Sequence, residues 1–419
     1  MFNVLFIVES YYHNAQPNGI CTKKVVDELK NDSDINVTVI TSKTVSNQPD
    51  HERIDGVDVF SFNRNLGSIL LNAAVGKKGV MKDIFTIAGK IVHKVLNYIC
   101  TFVWPLHSPL LVYKYYRMAC RLHKKNPFNA VVGVYCLMEE VEAARLLKKK
   151  YPDIQFSIYS LDAFSGRRTP AILGSLDIAK KSILRWEKKV FSAADNVCIM
   201  ASHQQHYNDI SYDYMRAKIK VMDIPLIDIN GNYEIEGKEP DQIRKIVFTG
   251  SARKFAGNPE YFLKLLKFIE HAEFHIYGFV DNYVEEAIKR SGLLNTKVIL
   301  HGMIPHEQVG RVQRDADFLI NFGCENPYMI PCKIFEYVSA CKPIIGFYRI
   351  QNDSSNPYLE NYPNRILIFE DESRIDQNRE ALDQFLKTEE FPLYEMKDII
   401  RAYWNNTARP MAELIKGEK

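Results

Sequence analysis

The sequence has no Cys-x-x-Cys pair and no cluster of histidines. Its eight cysteines, at 21, 100, 120, 136, 198, 324, 332 and 341, are scattered along 419 residues. That scatter excludes a disulfide framework and a structural zinc site, and reads as buried thiols in a reducing compartment. Asp32-Ser33-Asp34 has the spacing of a metal-binding acidic pair. It falls between a predicted helix and a strand, away from strand C-terminal ends, and reads as a surface turn. No 20–50-residue repeat and no low-complexity tract is present, which excludes solenoids and arrays. Met1 to Glu9 is too short for a secretory leader and reads as a first buried strand.

Acids are nearly missing from Arg64 to Asn126. Eleven Lys and Arg stand there against Asp83 alone, a net charge of +10 in a chain whose total is only +3. Between Lys94 and Lys114 there is no charge at all, but Asn97, Pro105, His107, Ser108 and Pro109 interrupt the run. A spanning helix needs about 20 mostly apolar residues, and these interruptions argue against one. The expectation is two amphipathic or partly buried helices flanking a kink. Their basic and Trp/Tyr edges suit an anionic membrane surface. A core helix with a solvated basic rim and a spanning segment are the other readings. Nucleic acid is not an expected partner, because no nucleic-acid fold motif accompanies the charge.

What is there is an ordinary globular composition, 46% hydrophobic and 25% charged, in a chain long enough for two cores. Phe2–Val8, then a loop holding His13, Asn14, Pro17 and Gly19, then a helix and Asn36–Thr41, make a strand–loop–helix–strand unit. Further apolar runs follow at 57–62, 128–135, 154–161 and 196–200. Runs of this kind predict an α/β chain with doubly wound parallel sheets. The predicted division is a first Rossmann-like domain at 1–224, a polar linker at 225–241 and a second Rossmann-like domain at 242–395. A C-terminal helix at 396–419 is expected to pack back on the first domain. Asp162 directly follows the strand at 154–161, where ligands of open α/β sheets bind. It is a candidate catalytic carboxylate, with a structural cap as the alternative.

Asn326 to Phe347 carries the most chemistry. Pro331 predicts a helix start, Ile334, Phe335, Tyr337 and Val338 give it an apolar side, and Lys342-Pro343 stops it before a short buried strand. Lys333 and Glu336 lie three apart on another face. A lysine in a first helical turn favours phosphate, and a carboxylate one turn on accepts hydrogen bonds from sugar hydroxyls. The plain alternative is an amphipathic helix with a surface Lys and Glu.

The string from Pro331 to Ile345, PCKIFEYVSACKPII, resembles the donor-site helix of GT-B glycosyltransferases, in particular the retaining family 4 type. Strand, His301-Gly302-Met303-Ile304-Pro305, helix, Ala316-Asp317, strand matches the same family. The resemblance implies a GT-B fold, two doubly wound domains facing a cleft. It implies that Glu336 binds the ribose of a nucleotide sugar, Met303 and Ile304 meet the base, and a glycine loop at Gly19 faces the cleft. Gly250 and Gly278 end strands beside the donor, and Arg253 and Lys254 hold the pyrophosphate by position. Two positions depart from the pattern: Tyr328 stands where many members have a sugar-binding glutamate, and Ser251 where the usual Arg follows the glycine.

The implied function is a retaining glycosyltransferase that takes a nucleotide diphosphate sugar as substrate. It needs no metal and no cofactor, since Lys333, Arg253 and Lys254 stabilise the leaving diphosphate. Asp162 contacts donor sugar or acceptor. The expected acceptor is a glycan or lipid-linked glycan at the cytoplasmic membrane face, in bacterial polysaccharide, capsule or lipopolysaccharide assembly. A GT-B nucleotide-sugar epimerase and a non-catalytic GT-B-like partner of another transferase are the rival readings.

Overall fold

The computed structural model describes residues 1–419 other than 14, 46, 75–76, 101–102, 162–175, 228–242, 326–329, 393 and 418–419, and not the side chains of 97, 100, 176–179, 306 and 307. The chain forms two compact units. One is Met1–Pro225 together with Ala408–Lys419, the other Leu226–Thr407. Most of the expected linker at 225–241 lies outside the described residues.

The first unit holds strands β1 (Phe2–Val8), β2 (Ile35–Ser42), β3 (His51–Ile54), β4 (Val57–Phe62), β5 (Ala130–Val134), β6 (Gln155–Ser160), β7 (Asn196–Ile199) and β8 (Ile219–Val221). Its helices are α1 (Pro17–Leu29), α2 (Leu66–Ala74), α3 (Gly79–Cys100), α4 (Pro109–Lys125), α5 (Met138–Lys150), α6 (Leu176–Ala193) and α7 (Gln204–Tyr207). The sheet order is β3-β4-β2-β1-β5-β6-β7-β8. Val4 to Val8 are wholly buried, as a central strand covered on both faces requires. All pairings are parallel except β3 with β4. That hairpin turns at Asp55 and Gly56, whose φ angles of 48° and 83° suit the tight turn joining two short antiparallel strands.

The second unit holds β9 (Arg244–Ala252), β10 (Ala272–Val280), β11 (Val298–Gly302), β12 (Phe318–Phe322), β13 (Ile344–Tyr348) and β14 (Arg365–Phe369). Its helices are α8 (Glu260–Leu266), α9 (Asn282–Ser291), α10 (His306–Arg314), α11 (Lys333–Ser339), α12 (Asn356–Glu360), α13 (Ile375–Leu386) and α14 (Met396–Ala402). The order β11-β10-β9-β12-β13-β14 is wholly parallel. Counted from the first strand it runs 3-2-1-4-5-6, the doubly wound order whose direction reverses between β9 and β12. Phe262, Phe274, Phe322 and Phe347 interlock at its centre, with ring centroids 5.1–6.1 Å apart, in the edge and offset arrangements aromatic rings favour.

The end of the chain differs from expectation. Residues 396–419 are not one helix. α14 belongs to the second unit, a short turn at Trp404–Asn406 breaks the run, and α15 (Arg409–Lys416) belongs to the first. Pro410 sits in the first turn of α15, where its missing N–H costs nothing. α15 lies against α1. The Leu414 carbonyl accepts from Gln155 (3.2 Å), and Lys416 meets Asp32 at 3.7 Å. Asp32 also caps its own turn, accepting from the Asp34 N–H at 3.0 Å.

The basic segment forms α2, α3 and α4, two long helices on either side of the Trp104-Pro105 turn. α3 crosses α2 at glycines. A Cβ on Gly67 would come within 2.9 Å of the His93 backbone, and one on Gly89 within 2.8 Å of Leu71. That contact uses one side of α3. Val80, Ile84, Ile87, Ile91, Val95 and Tyr98 form a stripe on another side, each half exposed or more. Among the described residues no helix is long and apolar enough to cross a membrane.

Candidate functional site

The switch point of the second sheet lies at the C-terminal ends of β9 and β12, and the expected residues Gly250, Gly278, Lys333 and Glu336 gather beside it. Gly250 and Gly278 were expected to end their strands. Instead β9 and β10 run past them in register, with Gly278 opposite Gly250. The glycines allow this by adopting φ angles of 135° and 142°, open to a residue without a Cβ. A Cβ on Gly278 would lie 1.8 Å from the Gly250 carbonyl oxygen. The two strand ends meet this closely only because Gly278 has no side chain.

Lys333 covers this cradle. Its Cε is 3.8 Å from where a Gly250 Cβ would stand. α11 begins at Lys333, two residues after the expected Pro331, and ends at Ser339 rather than at Lys342-Pro343. Cys341, with φ at 55°, turns the chain left-handed and closes the helix early. At seven residues the helix has a weak dipole, so the positive charge here belongs to the Lys333 ammonium itself. The ammonium reaches both oxygens of Glu336 (3.1 and 2.9 Å). Gln313 on α10, buried, donates to the same carboxylate at 3.0 Å and to the Thr249 hydroxyl at 2.9 Å. The Tyr337 hydroxyl accepts from the Thr249 N–H at 2.9 Å, and burial pushes this phenol far above its usual range, so it stays neutral. Glu336 is thus held in place from below, with lone pairs left for hydroxyl donors.

Other expected residues sit elsewhere. Arg253 follows the prolonged β9 and lays its guanidinium over Phe279, 5.2 Å from the ring centre. The Lys254 ammonium lies 4.8 Å from the Tyr283 ring, and the residue lines a 280 Å³ cavity with Glu260, Glu325 and Glu370. No contact joins either to Lys333 among the described residues. Met303 is 78% exposed in the turn after β11, with Ile304 half-buried beside it. Gly19 is not in a loop. It lies in the first turn of α1, where a Cβ would sit 2.3 Å from the Ser10 carbonyl oxygen, so it serves the close packing of α1 on the end of β1. Asp162 and Tyr328 lie outside the described residues. Nothing in residue spacing singles out Gln313, although an amide on the buried side of a short amphipathic helix is itself a sign of a polar partner.

At the switch point of the first sheet, between β1 and β5, three acids meet one base. Glu9 pairs with Arg64 and accepts from the Cys136 thiol at 2.7 Å. Glu139 accepts from the His107 and Ser108 N–H groups at 2.6 and 2.7 Å. Glu140 is wholly buried; one oxygen accepts from Leu137 N–H at 3.1 Å, and among the described residues the other has no partner. Burial, then Glu139 and Glu9, push the Glu140 carboxyl well above the carboxylate range against the pull of Arg64. The folded chain therefore holds this proton where the unfolded chain has lost it. That contribution to stability is complete below a pH of about 4.3 and is lost as pH rises toward the folded value. Glu140→Gln is expected to stabilise the protein relative to wild type by about 1–3 kcal/mol at pH 8, with the gain fading toward pH 4. Urea melts from pH 4 to 8 measure it, and a difference independent of pH contradicts it.

No family model and no curated protein matches the chain. Among solved structures, sucrose-phosphate synthase from Thermosynechococcus elongatus superposes with a TM-score of 0.62 at 12% identity, covering 100% of this chain and 99% of that one. The lipopolysaccharide outer core galactosyltransferase WaaB gives 0.55 at 13%, covering 99% of each chain. Anabaena HepE in complex with UDP and glucose gives 0.54 at 11%, covering 99% and 95%. The likeness shows the expected fold class, the GT-B arrangement of two parallel-sheet Rossmann-like domains.

Proposed function

We propose that the chain is a glycosyltransferase that moves a sugar from a nucleotide diphosphate sugar to a glycan or lipid-linked acceptor, with retention at the anomeric carbon. The observation that carries the reading is the glycine cradle covered by Lys333, with Glu336 and Gln313 beside it, at the switch point of a 3-2-1-4-5-6 sheet. A diphosphate fits a backbone surface without side chains under an ammonium. Glu336 accepts from ribose hydroxyls. Breaking the anomeric C–O bond places negative charge on the departing diphosphate, which Lys333 is positioned to stabilise. Arg253 and Lys254 join it only if their turn rearranges when donor binds. Asp162 is proposed to meet the donor sugar or the acceptor hydroxyl, and Met303 and Ile304 the base. The reading requires no metal. A uridine nucleotide is the first donor to test, since HepE was solved with UDP and glucose. Transfer or donor hydrolysis by the purified protein, across a panel of nucleotide sugars, tests the reading. A panel with neither binding nor turnover rejects it.

The site of action is proposed to be the cytoplasmic face of a bacterial membrane, in polysaccharide or lipopolysaccharide assembly. Support comes from the α3 stripe, where Val80, Ile84, Ile87, Ile91, Val95 and Tyr98 follow helical spacing. Lys90 and Lys94 stand along one edge of it. An apolar face bordered by lysines suits the boundary between acyl chains and anionic headgroups. Ile87→Asp with Ile91→Asp is expected to lower binding to vesicles containing anionic lipid at least tenfold, read by co-sedimentation. Equal sedimentation of the variant removes α3 from the membrane surface.

A further inference from the structure

The charge of the basic segment divides between two places. Lys90 and Lys94 of α3 border its apolar stripe, but four cations of α4 gather around a separate cavity of 570 Å³. It is lined by Tyr116, Arg117, Arg121, Lys124 and Lys125 of α4 and by Lys150 of α5. No acid is among the lining residues, and none of these five cations forms an ion pair with a described residue. Three of their partners are aromatic: Arg117 lies over Tyr113 at 5.5 Å, and Lys150 over Tyr116 at 5.9 Å and Tyr151 at 5.5 Å. Helix dipoles explain part of this, because Lys124, Lys125 and Lys150 end their helices and cations are favoured there. Arg117 and Arg121 lie further back on α4, beyond the reach of that effect. Arg117 and Arg121 are four apart, so both project from one side of α4.

The cavity is not the donor site. α4 and α5 end where β5 and β6 begin, so it lies at the N-terminal edge of the first sheet, whereas ligands of the sheet itself bind at the other edge.

We infer that this cavity binds clustered phosphates, a diphosphate or a longer phosphate chain. Five like charges around one hollow repel one another, and a single phosphate leaves most of that charge unmatched. Guanidinium groups take phosphate oxygens two at a time, and the lysines add point charges that tolerate variation in the ligand. The volume falls within the range of small-molecule sites, roughly 300–1,000 Å³. The same chemistry reaches the cavity from a soluble polyphosphate or from phosphates carried on a lipid. None of these residues belongs to the Gly250 cradle, so this inference stands or falls apart from the transferase reading.

The test uses the full chain carrying Lys333→Gln, which silences the cradle, titrated with inorganic pyrophosphate by calorimetry at low salt. One site is expected. Arg117→Gln with Arg121→Gln should weaken it at least tenfold, and Lys150→Gln, from the other helix, several-fold. Raising the salt should weaken it in the parent. A second arm adds Ile87→Asp and Ile91→Asp to remove the stripe, then sediments the protein with phosphatidylcholine vesicles with and without phosphatidic acid. Sedimentation that pyrophosphate reverses assigns the phosphates to a lipid. Any other result in that arm, with pyrophosphate binding retained, assigns them to a soluble ligand. Pyrophosphate affinity unchanged by both sets of cavity variants, or no binding in either arm, overturns the inference.

Discussion

Lys333→Gln should lower glycosyl transfer by a factor of about 10²–10³ while leaving the unliganded protein folded. The size of the loss follows from where the charge stands. On the proposed reading, the ground-state diphosphate is already anionic and would rest on the backbone of Gly250 and Gly278 as well as on Lys333. In the transition state one more negative charge develops on the departing oxygen, and removing a positioned donor from such a site costs roughly 10²–10³ in rate. The donor KM should rise less than kcat falls. Stability should barely change, because the Lys333–Glu336 pair is partly exposed, at 31% and 22% of the side chains, and pairs of that kind contribute about 1 kcal/mol or less. Glutamine is one atom shorter than lysine, removes the charge and keeps an N–H donor. Steady-state kinetics and a thermal melt without nucleotide check both halves. Transfer at the wild-type rate would remove Lys333 from the chemistry.

The fold was legible where burial is continuous. Runs such as Val4–Val8 and Phe318–Phe322 are read as parallel strands because both faces must be apolar. Strand β3 was not expected, though Asp55-Gly56 is the dipeptide a two-residue hairpin turn favours. Its four residues alternate between exposed and half-buried and give no apolar run. The site was legible in its local half. Lys333 and Glu336 are one turn apart, so helical spacing alone sets them together. The facing of Gly278 on Gly250 and the reach of Gln313 to Glu336 are long-range contacts, set by sheet register and helix docking. Spacing carries no record of either. Lys254 shows the same limit in reverse. Its place after a strand was readable, but the direction of its turn depended on Asp281, which accepts from the Lys254 N–H at 3.0 Å. Gly19 likewise could be noted as a residue without a Cβ, but only the position of Ser10 shows what that space is used for.

Gly278→Ala should abolish stabilisation of the protein by nucleotide sugar and lower the melting temperature by several degrees. Two separate penalties act at this position. The φ of 142° is strained for any residue with a Cβ, at roughly 1–3 kcal/mol. The new methyl carbon would also stand 1.8 Å from the Gly250 carbonyl oxygen, a backbone atom that cannot rotate away, so the end of β10 must part from β9. In a domain of this size each 1 kcal/mol lowers the melting temperature by about 2–4 °C. The cradle opens at the same time, because its floor is the contact between these two residues. Gly292→Ala separates the two effects. Gly292 also has a positive φ, 74°, but a Cβ there meets nothing within 4 Å, so the cost is backbone strain alone and the response to nucleotide should survive. Thermal melts of wild type and both variants, with and without the nucleotide sugar that wild type turns over, make the comparison, since a ligand of the folded state raises stability by mass action. If Gly278→Ala is stabilised by that donor as much as wild type is, the diphosphate does not lie on this cradle.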